Sequence, residues 1–373
     1  MHSTLRAQRM AVAAKAIANF KTMIPGLRTY ARNLTNNPTL ELKVGSSSQT
    51  DGKTIWLAPP VSLGRDTPHN GMCNTRADGM SVCPACASRE HLMEVLHHEI
   101  GHIMFGSFRP FDLRLVDRIL FSEDGQPDHD VDLKYMRKIS HSINNGGGEP
   151  LIYHVNAGGH PWLSFLNLVT EDARCDKMRI DHDHTQAEVF AATNQNLLIN
   201  GLDKQDGTIM YYDDMELDQQ ACLAFLFVSR DESIDGYFDS EIVELMDDTK
   251  IKRLAVESTL ALNVEESFSI ALQLLDHLNR LGYCKVDDKD DDELEELMEE
   301  LAKILVAMLG HDIESLAGVQ VGGHTDDPGA GLRPEDIEAA LTALSALDRV
   351  PENVGAPVVY ERGNGPAYNG YLS

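Results

Sequence analysis

The sequence predicts an α+β protein, mainly α, in which a small sheet near the N-terminus is followed by a helical bundle. Three observations predict it. Apolar residues recur at helical spacing through most of the chain. Short extended stretches are confined to residues 40–57. Of the 373 residues, 42% are hydrophobic, enough to bury at least one full core, and the length favours about two domains.

Taken in order, Leu5, Val12, Ala13, Ile17, Phe20 and Ile24 mark a helix over 3–23 that ends at Pro25-Gly26. Leu40–Val44 and Lys53–Leu57, separated by Gly45-Ser-Ser-Ser and Asp51-Gly52, predict a hairpin. Residues 58–87 form a loop rich in Gly, Pro and Cys, long enough that a metal is expected to order it. A strong helix follows at 88–106, and 122–160 reads as loop with short helices, broken by Gly146-Gly-Gly148. From Pro161 the pattern is helical over about 161–180, 184–200, 215–230, 239–260, 264–282, 290–309 and 334–348.

The densest acidic run, Asp287–Glu300, keeps Leu294, Leu297, Met298, Leu301, Ile304, Leu305 and Met308 at helical spacing and lacks the glycine of a calcium loop, so it reads as a solvated helix. Asp203–Gly207 is a turn, 318–332 is a Gly-rich linker, and the tail from Pro351 is expected to be flexible.

The chain carries 32 basic and 59 acidic residues, a formal charge of −27, which repels phosphate backbones and argues against nucleic acid as a partner. Lys15 cuts short the apolar stretch after Arg6 and Arg9, so no secretory signal is expected, and no run reaches the roughly 18 apolar residues of a membrane span. A cytoplasmic protein without membrane contact is the expectation.

The chemistry concentrates on His98-Glu99-Ile100-Gly101-His102. Residues i and i+4 stack on one helix face, so His98 and His102 are expected to hold one zinc ion, with Glu99 beside the metal as general acid and base. The flanking Leu92, Val95, Leu96, Ile100, Ile103 and Met104 are apolar, and Gly101 is read as allowing close backbone packing. A third histidine six residues after His102 is missing, so another donor is needed. The helix Trp162–Asp176 places carboxylates in an apolar stripe, where unpaired charge is costly. Glu171 is the preferred ligand and Asp172 the alternative, since Asp176, four residues on, would then accept a hydrogen bond from a zinc-bound histidine. Arg174 is expected to neutralise Glu99 or Asp172. His182 and His184 are surface capping residues, or substitute ligands if Glu171 fails. Tyr153, His154 and His160 are candidate donors to a developing oxyanion.

His98-Glu-Ile-Gly-His102 with the downstream Glu171-Asp-Ala-Arg174 resembles the gluzincin class of metallopeptidases. The similarity is to the small phage-encoded metallopeptidase-like proteins of actinobacterial phages and the related part of cobaltochelatase-type proteins, and it covers about residues 1–200. Cys83-Pro-Ala-Cys86, just before the site helix, is similar to that phage group too. The resemblance implies a zincin-like core of a long backing helix, a small sheet, an active-site helix and a glutamate helix, and a host bacterial cytoplasm if the chain is phage-encoded. It departs from the cobaltochelatase relatives in lacking a von Willebrand-type Asp-x-Ser-x-Ser.

Cys83 and Cys86 have the spacing of a zinc knuckle, Cys73 supplies a third thiolate, and His69 or His91 completes a structural site within 69–91. A redox CxxC competes, but a third nearby cysteine and an approach without strands favour zinc. Cys175, Cys222 and Cys284 read as small core residues.

Together these features predict a zinc-dependent peptidase domain over 1–205, an acidic helical domain over 206–350 with a face for a protein partner, and a tail over 351–373. The substrate class is protein or peptide. The alternatives are a non-catalytic binding or assembly protein on the same scaffold and, by family analogy alone, a metal-insertion protein.

Overall fold

A computed structural model describes residues 2–45, 48–60, 84–121, 131–146, 148–203 and 209–286, with short pieces at 63–64, 76–77, 80–81, 129, 289, 292–294, 296–298, 300–301, 304 and 340–341. The chain is mainly helical with one small three-stranded sheet. No described helix is long and apolar enough to cross a membrane.

The first helix, α1 (His2–Thr35), runs straight through Pro25 instead of ending there. An internal proline removes a hydrogen bond and costs ~3 kcal/mol. Burial offsets this: beyond the proline, Leu27 and Ala31 pack with Leu40, Leu42, Ile55 and Leu57 of the sheet and with Leu92, Leu96 and Ile100. Thr29 Oγ1 also donates to the Pro25 carbonyl at 2.9 Å.

The sheet differs from the predicted hairpin. β1 (Glu41–Val44) pairs in parallel with β3 (Thr54–Leu57), Glu41 opposite Thr54, while β2 (Gln49–Thr50) pairs antiparallel with β3 on its other side. The turn at Asp51-Gly52 was legible, but it joins β2 to β3 rather than β1 to β3. Asp51 Oδ1 accepts from Lys53 N at 2.8 Å and Thr54 N at 2.7 Å. Gly52 sits at φ +83° with the Phe108 side chain so close that a Cβ there would lie 2.7 Å from it. Only glycine meets both demands.

Two further short strands, β4 (Arg76–Ala77) and β5 (Met80–Ser81), pair antiparallel just before α2 (Pro84–Met104). The approach to the cysteine motif is therefore not strandless, and Cys86 falls within the first turn of α2. Cys73, Cys83 and His69, and the side chains of Cys86 and His91, lie outside what the structure describes, as do the 318–332 linker and the 351–373 tail.

Next come α3 (Leu113–Leu120), α4 (Leu133–Asn145) and α5 (Leu151–Gly158). α4 is a full helix in a region expected to be mostly loop: Asp132 caps its N-terminus, and Tyr135, Met136, Ile139 and Ile143 are buried at helical spacing. α6 (Pro161–His182) begins with proline in its first turn behind the His160 cap, and packs against α2, α5, α8, α10 and α11.

Beyond it lie α7 (Ala187–Asn200), the strand pair β6 (Leu202–Asp203) and β7 (Ile209–Met210), and the helices α8 (Leu217–Ser229), α9 (Ser240–Met246), α10 (Thr249–Leu260) and α11 (Val264–Leu281). The single helix expected over 239–260 is broken because Asp248 caps α10, accepting from Lys250 N and Ile251 N. The helices expected at 290–309 and 334–348 are described only in part: Leu294, Leu301 and Ile304 join the core, and Ala340 packs on Ala13 and Ile17 of α1.

One apolar core includes Val116 on α3, the apolar residues of α6 and Leu278 on α11. Cys175, Cys222 and Cys284 are buried and free, the last two with their sulfurs 3.7 Å apart.

Candidate metal centre

α2 and α6 cross so that the imidazoles of one face the carboxylates of the other. His98 and His102, one turn apart on α2, bring their Nε2 atoms to 3.2 Å, with the rings nearly perpendicular. Asp172 Oδ1 from α6 lies 3.2 Å from His102 Nε2 and 3.8 Å from His98 Nε2. These three side chains form a group able to hold a metal ion. A tetrahedral zinc with bonds of about 2.0–2.1 Å to nitrogen needs its donors ~3.3 Å apart, close to these spacings.

The opposite ring nitrogens fix the direction of the lone pairs. His98 Nδ1 lies 3.0 Å from Asp176 Oδ1, a carboxylate, so this nitrogen donates and Nε2 is left as an acceptor. His102 Nδ1 lies 3.1 Å from Ser107 Oγ, whose own proton is given to Glu171 Oε1 at 2.5 Å, so His102 too donates outward. The Nε2 atoms of both imidazoles and a carboxylate oxygen therefore converge on one point, where a metal cation or a proton relieves their mutual repulsion. Burial opposes positive charge on both rings, yet Asp176 and Asp172 around His98, and Cys175 and Asp172 around His102, raise both pKa values above the ordinary one.

The carboxylate beside the two Nε2 atoms is thus Asp172 and not the preferred Glu171. Adjacent helical residues point about 100° apart, and the face of α6 turned to α2 carries Asp172 and Asp176. Glu171 lies on the next face, held by Arg174, whose Nε and Nη2 donate to its two oxygens at 2.9 and 2.5 Å. Arg174 is wholly buried and also donates to the Phe105 carbonyl at 3.0 Å. It neutralises Glu171, not Glu99 or Asp172 as expected. His102, Glu171 and Cys175 form a second cluster of possible ligand atoms. The Arg174 cation already occupies it, and burial pushes the Cys175 thiol up, away from the thiolate a metal requires.

Glu99 is 2% exposed and lines the cleft beside these donors without a hydrogen-bond partner among the described residues. Burial raises its pKa, while His98 and His102 pull the other way. The cleft has a volume of about 180 Å³. Its walls include Gln49 and Thr50 of β2, Ser107, Phe108, the α5 residues Leu151, Ile152, Tyr153 and Asn156, Asn167, Leu168 and Glu171 of α6, and Val264 of α11.

Of the three candidate oxyanion donors, only Tyr153 lines the cleft. Burial, then Asp51 and Glu149, raise its pKa, so it stays a phenol able to donate. His154 is buried, with Nδ1 bonded to Ser142 Oγ at 2.9 Å. His160 caps α6, accepting from Leu163 N at 3.3 Å, and burial lowers its pKa to about 4, which keeps it neutral. Both are structural. His182 and His184 are exposed at the far end of α6, and His97 binds Tyr30 of α1 through Nε2 at 2.5 Å.

The sequence reading missed Ser107, Arg179, Arg230 and Glu94. Arg179 bonds Glu94 Oε1 at 2.6 Å and Asp176 Oδ1 at 3.4 Å, and Arg230 bonds Asp176 Oδ2 at 2.6 Å. No local spacing signals a partner 54 residues away. Gly101 also departs from its expected role: a Cβ there would stand 3.9 Å from the Cys175 carbonyl and the Arg179 side chain, so close packing does not demand glycine.

Comparison of the chain with protein-family models, with curated proteins and with solved structures finds no match.

Proposed function

We propose that the protein is a zinc-dependent peptidase with a zincin-like core, the ion held by His98, His102 and Asp172. The observation that carries this reading is the convergence of three possible ligand atoms, each imidazole fixed from behind, next to a buried Glu99 that has no hydrogen-bond partner among the described residues. Two imidazoles and one carboxylate leave a coordination position open, the donor set of catalytic rather than structural zinc. Zinc so held supplies a Lewis acid that acidifies a water and polarises a carbonyl.

The chain's own residues supply the remaining parts. Glu99, its pKa raised by burial, takes a proton from the attacking water and returns it to the departing amine. Tyr153 donates to the oxygen on which negative charge develops. Asn167 is 5% exposed and lines the cleft, and its carboxamide has no partner among the described residues, so it offers one donor and one acceptor to a peptide main chain. β2 is at the edge of the sheet along the same cleft, where an extended segment can add as a strand.

The test is a broad peptide-library cleavage assay with the zinc-loaded full chain. Glu99→Gln is expected to retain the metal and lose activity by about 10²–10⁴-fold. Equal cleavage by that variant and the parent overturns the mechanism. A parent that binds zinc but cleaves nothing in the library overturns the peptidase reading.

A further inference from the structure

We propose that Arg230, at the C-terminal end of α8, is a positioning residue for the ion site, fixing Asp176 and through it the ring of His98. The inference rests on the metal reading of His98, His102 and Asp172 and concerns how that site is kept in shape.

Asp176 is buried, and its two oxygens are divided between partners. Oδ1 accepts from His98 Nδ1 at 3.0 Å and from Arg179 at 3.4 Å, while Oδ2 accepts from Arg230 Nη2 at 2.6 Å. The shortest contact is thus the one to Arg230. Without it, only the longer Arg179 contact and His98 itself restrain the carboxylate, and Oδ1 can turn off the line on which His98 must point Nε2 at the ion.

Arg230 is itself held. Its Nη1 donates to Asn194 Oδ1 at 3.1 Å, and its guanidinium lies 5.4 Å from the Phe190 ring centre, with Arg179 at 5.1 Å from the same ring. Asn194 and Phe190 belong to α7, so four helices converge here: α2 with Glu94 and His98, α6 with Asp176 and Arg179, α7, and the end of α8. Glu94 and Asp176 accept from the two arginines, and Glu232 is a third carboxylate close enough to feel the charge of Arg230. A planar fork with two separate acceptors, Asp176 and Asn194, is a geometric device that a single ammonium cannot reproduce. Groups that orient a metal-bound histidine typically change metal affinity about 10–100-fold when removed.

The experiment uses the full chain with Arg230→Met and Arg230→Lys, and reads the zinc dissociation constant by chelator competition and the visible absorption of the cobalt(II)-substituted protein. Zinc affinity is expected to fall about 10–100-fold in Arg230→Met and by less in Arg230→Lys, with the cobalt bands of Arg230→Met shifted or weakened as the His98 ring loses its setting. A merely structural Arg230 lowers the melting temperature and leaves the affinity and cobalt spectrum as in the parent, and that result overturns the proposal. Should Arg230→Met fail to fold, Arg230→Lys decides alone: an affinity and spectrum equal to the parent's overturn it. A parent that takes up no zinc overturns the metal reading and this inference together, whereas a parent that binds while both variants bind equally well overturns the inference only.

Discussion

The two helices that build the site differ in how their surroundings constrain them. α2 sits between the sheet with α1 on one side and α6 on the other, and the residues it gives to the site, His98, Glu99 and His102, lie in one local stretch. α6 is packed by α2, α5, α8, α10 and α11, so Glu171, Asp172, Arg174, Asp176 and Arg179 are all buried on one helix. The site residues of α2 follow one another at helical spacing, although Glu94 and His98 also reach across to α6. On α6 the partner of each buried charged residue decides its role.

Neighbouring acids on α6 make the sharpest test of that difference. Asp172→Ala is expected to abolish stoichiometric zinc binding, whereas Glu171→Gln keeps one ion and weakens it only as the loss of a supporting contact does, about 10–100-fold through Ser107 and His102. Metal analysis of the two dialysed variants checks this, and the reverse pattern would move the ligand back to Glu171.

Arg174→Met tests the same pair from the side of stability. It strips a wholly buried partner from Glu171 and leaves that carboxylate uncompensated, at a cost of about 3–5 kcal/mol in chemical denaturation. A loss below 1 kcal/mol would show that Glu171 finds another partner or water.

The smallest effect belongs to α2. Gly101→Ala is expected to stabilise the protein by about 0.5–1 kcal/mol without changing metal affinity, because a Cβ there meets only ordinary contacts. Destabilisation would mean that α2 and α6 approach more closely than the structure shows.

What was legible in the sequence follows the same division. Local spacing was enough to place His98, Glu99 and His102 on one helix, and the i, i+4 relation was enough to propose Asp176 behind a histidine. Choosing between Glu171 and Asp172 needed the rotation of α6 against α2, which tertiary packing sets; the one local hint was Arg174, three residues after Glu171 and suited to pair with it. Ser107 was hidden because its role depends on the turn after α2, and Arg230 because its partner lies on another helix. In the fold, the mainly helical character with a small sheet was readable from periodicity. The continuation of α1 past Pro25 was not, since burial of Leu27 and Ala31 overrides a local breaker. Nor was the parallel pairing of β1 with β3: a turn signal shows that the chain reverses, not which strand it reverses onto.

Because α6 supports both the hydrophobic interior and the ion site, its phase carries information that its composition does not. A one-residue insertion ahead of Glu171 would rotate the following residues by about 100° and bring that longer acid to the place Asp172 now holds. An acid would still face the imidazoles, yet Arg174 would swing away from the Phe105 carbonyl, and Asp176 would lose its register with His98. Length changes between α4 and α5 should therefore be tolerated far better than any within α6, a contrast that insertion scanning across residues 146–150 and 161–176 would reveal.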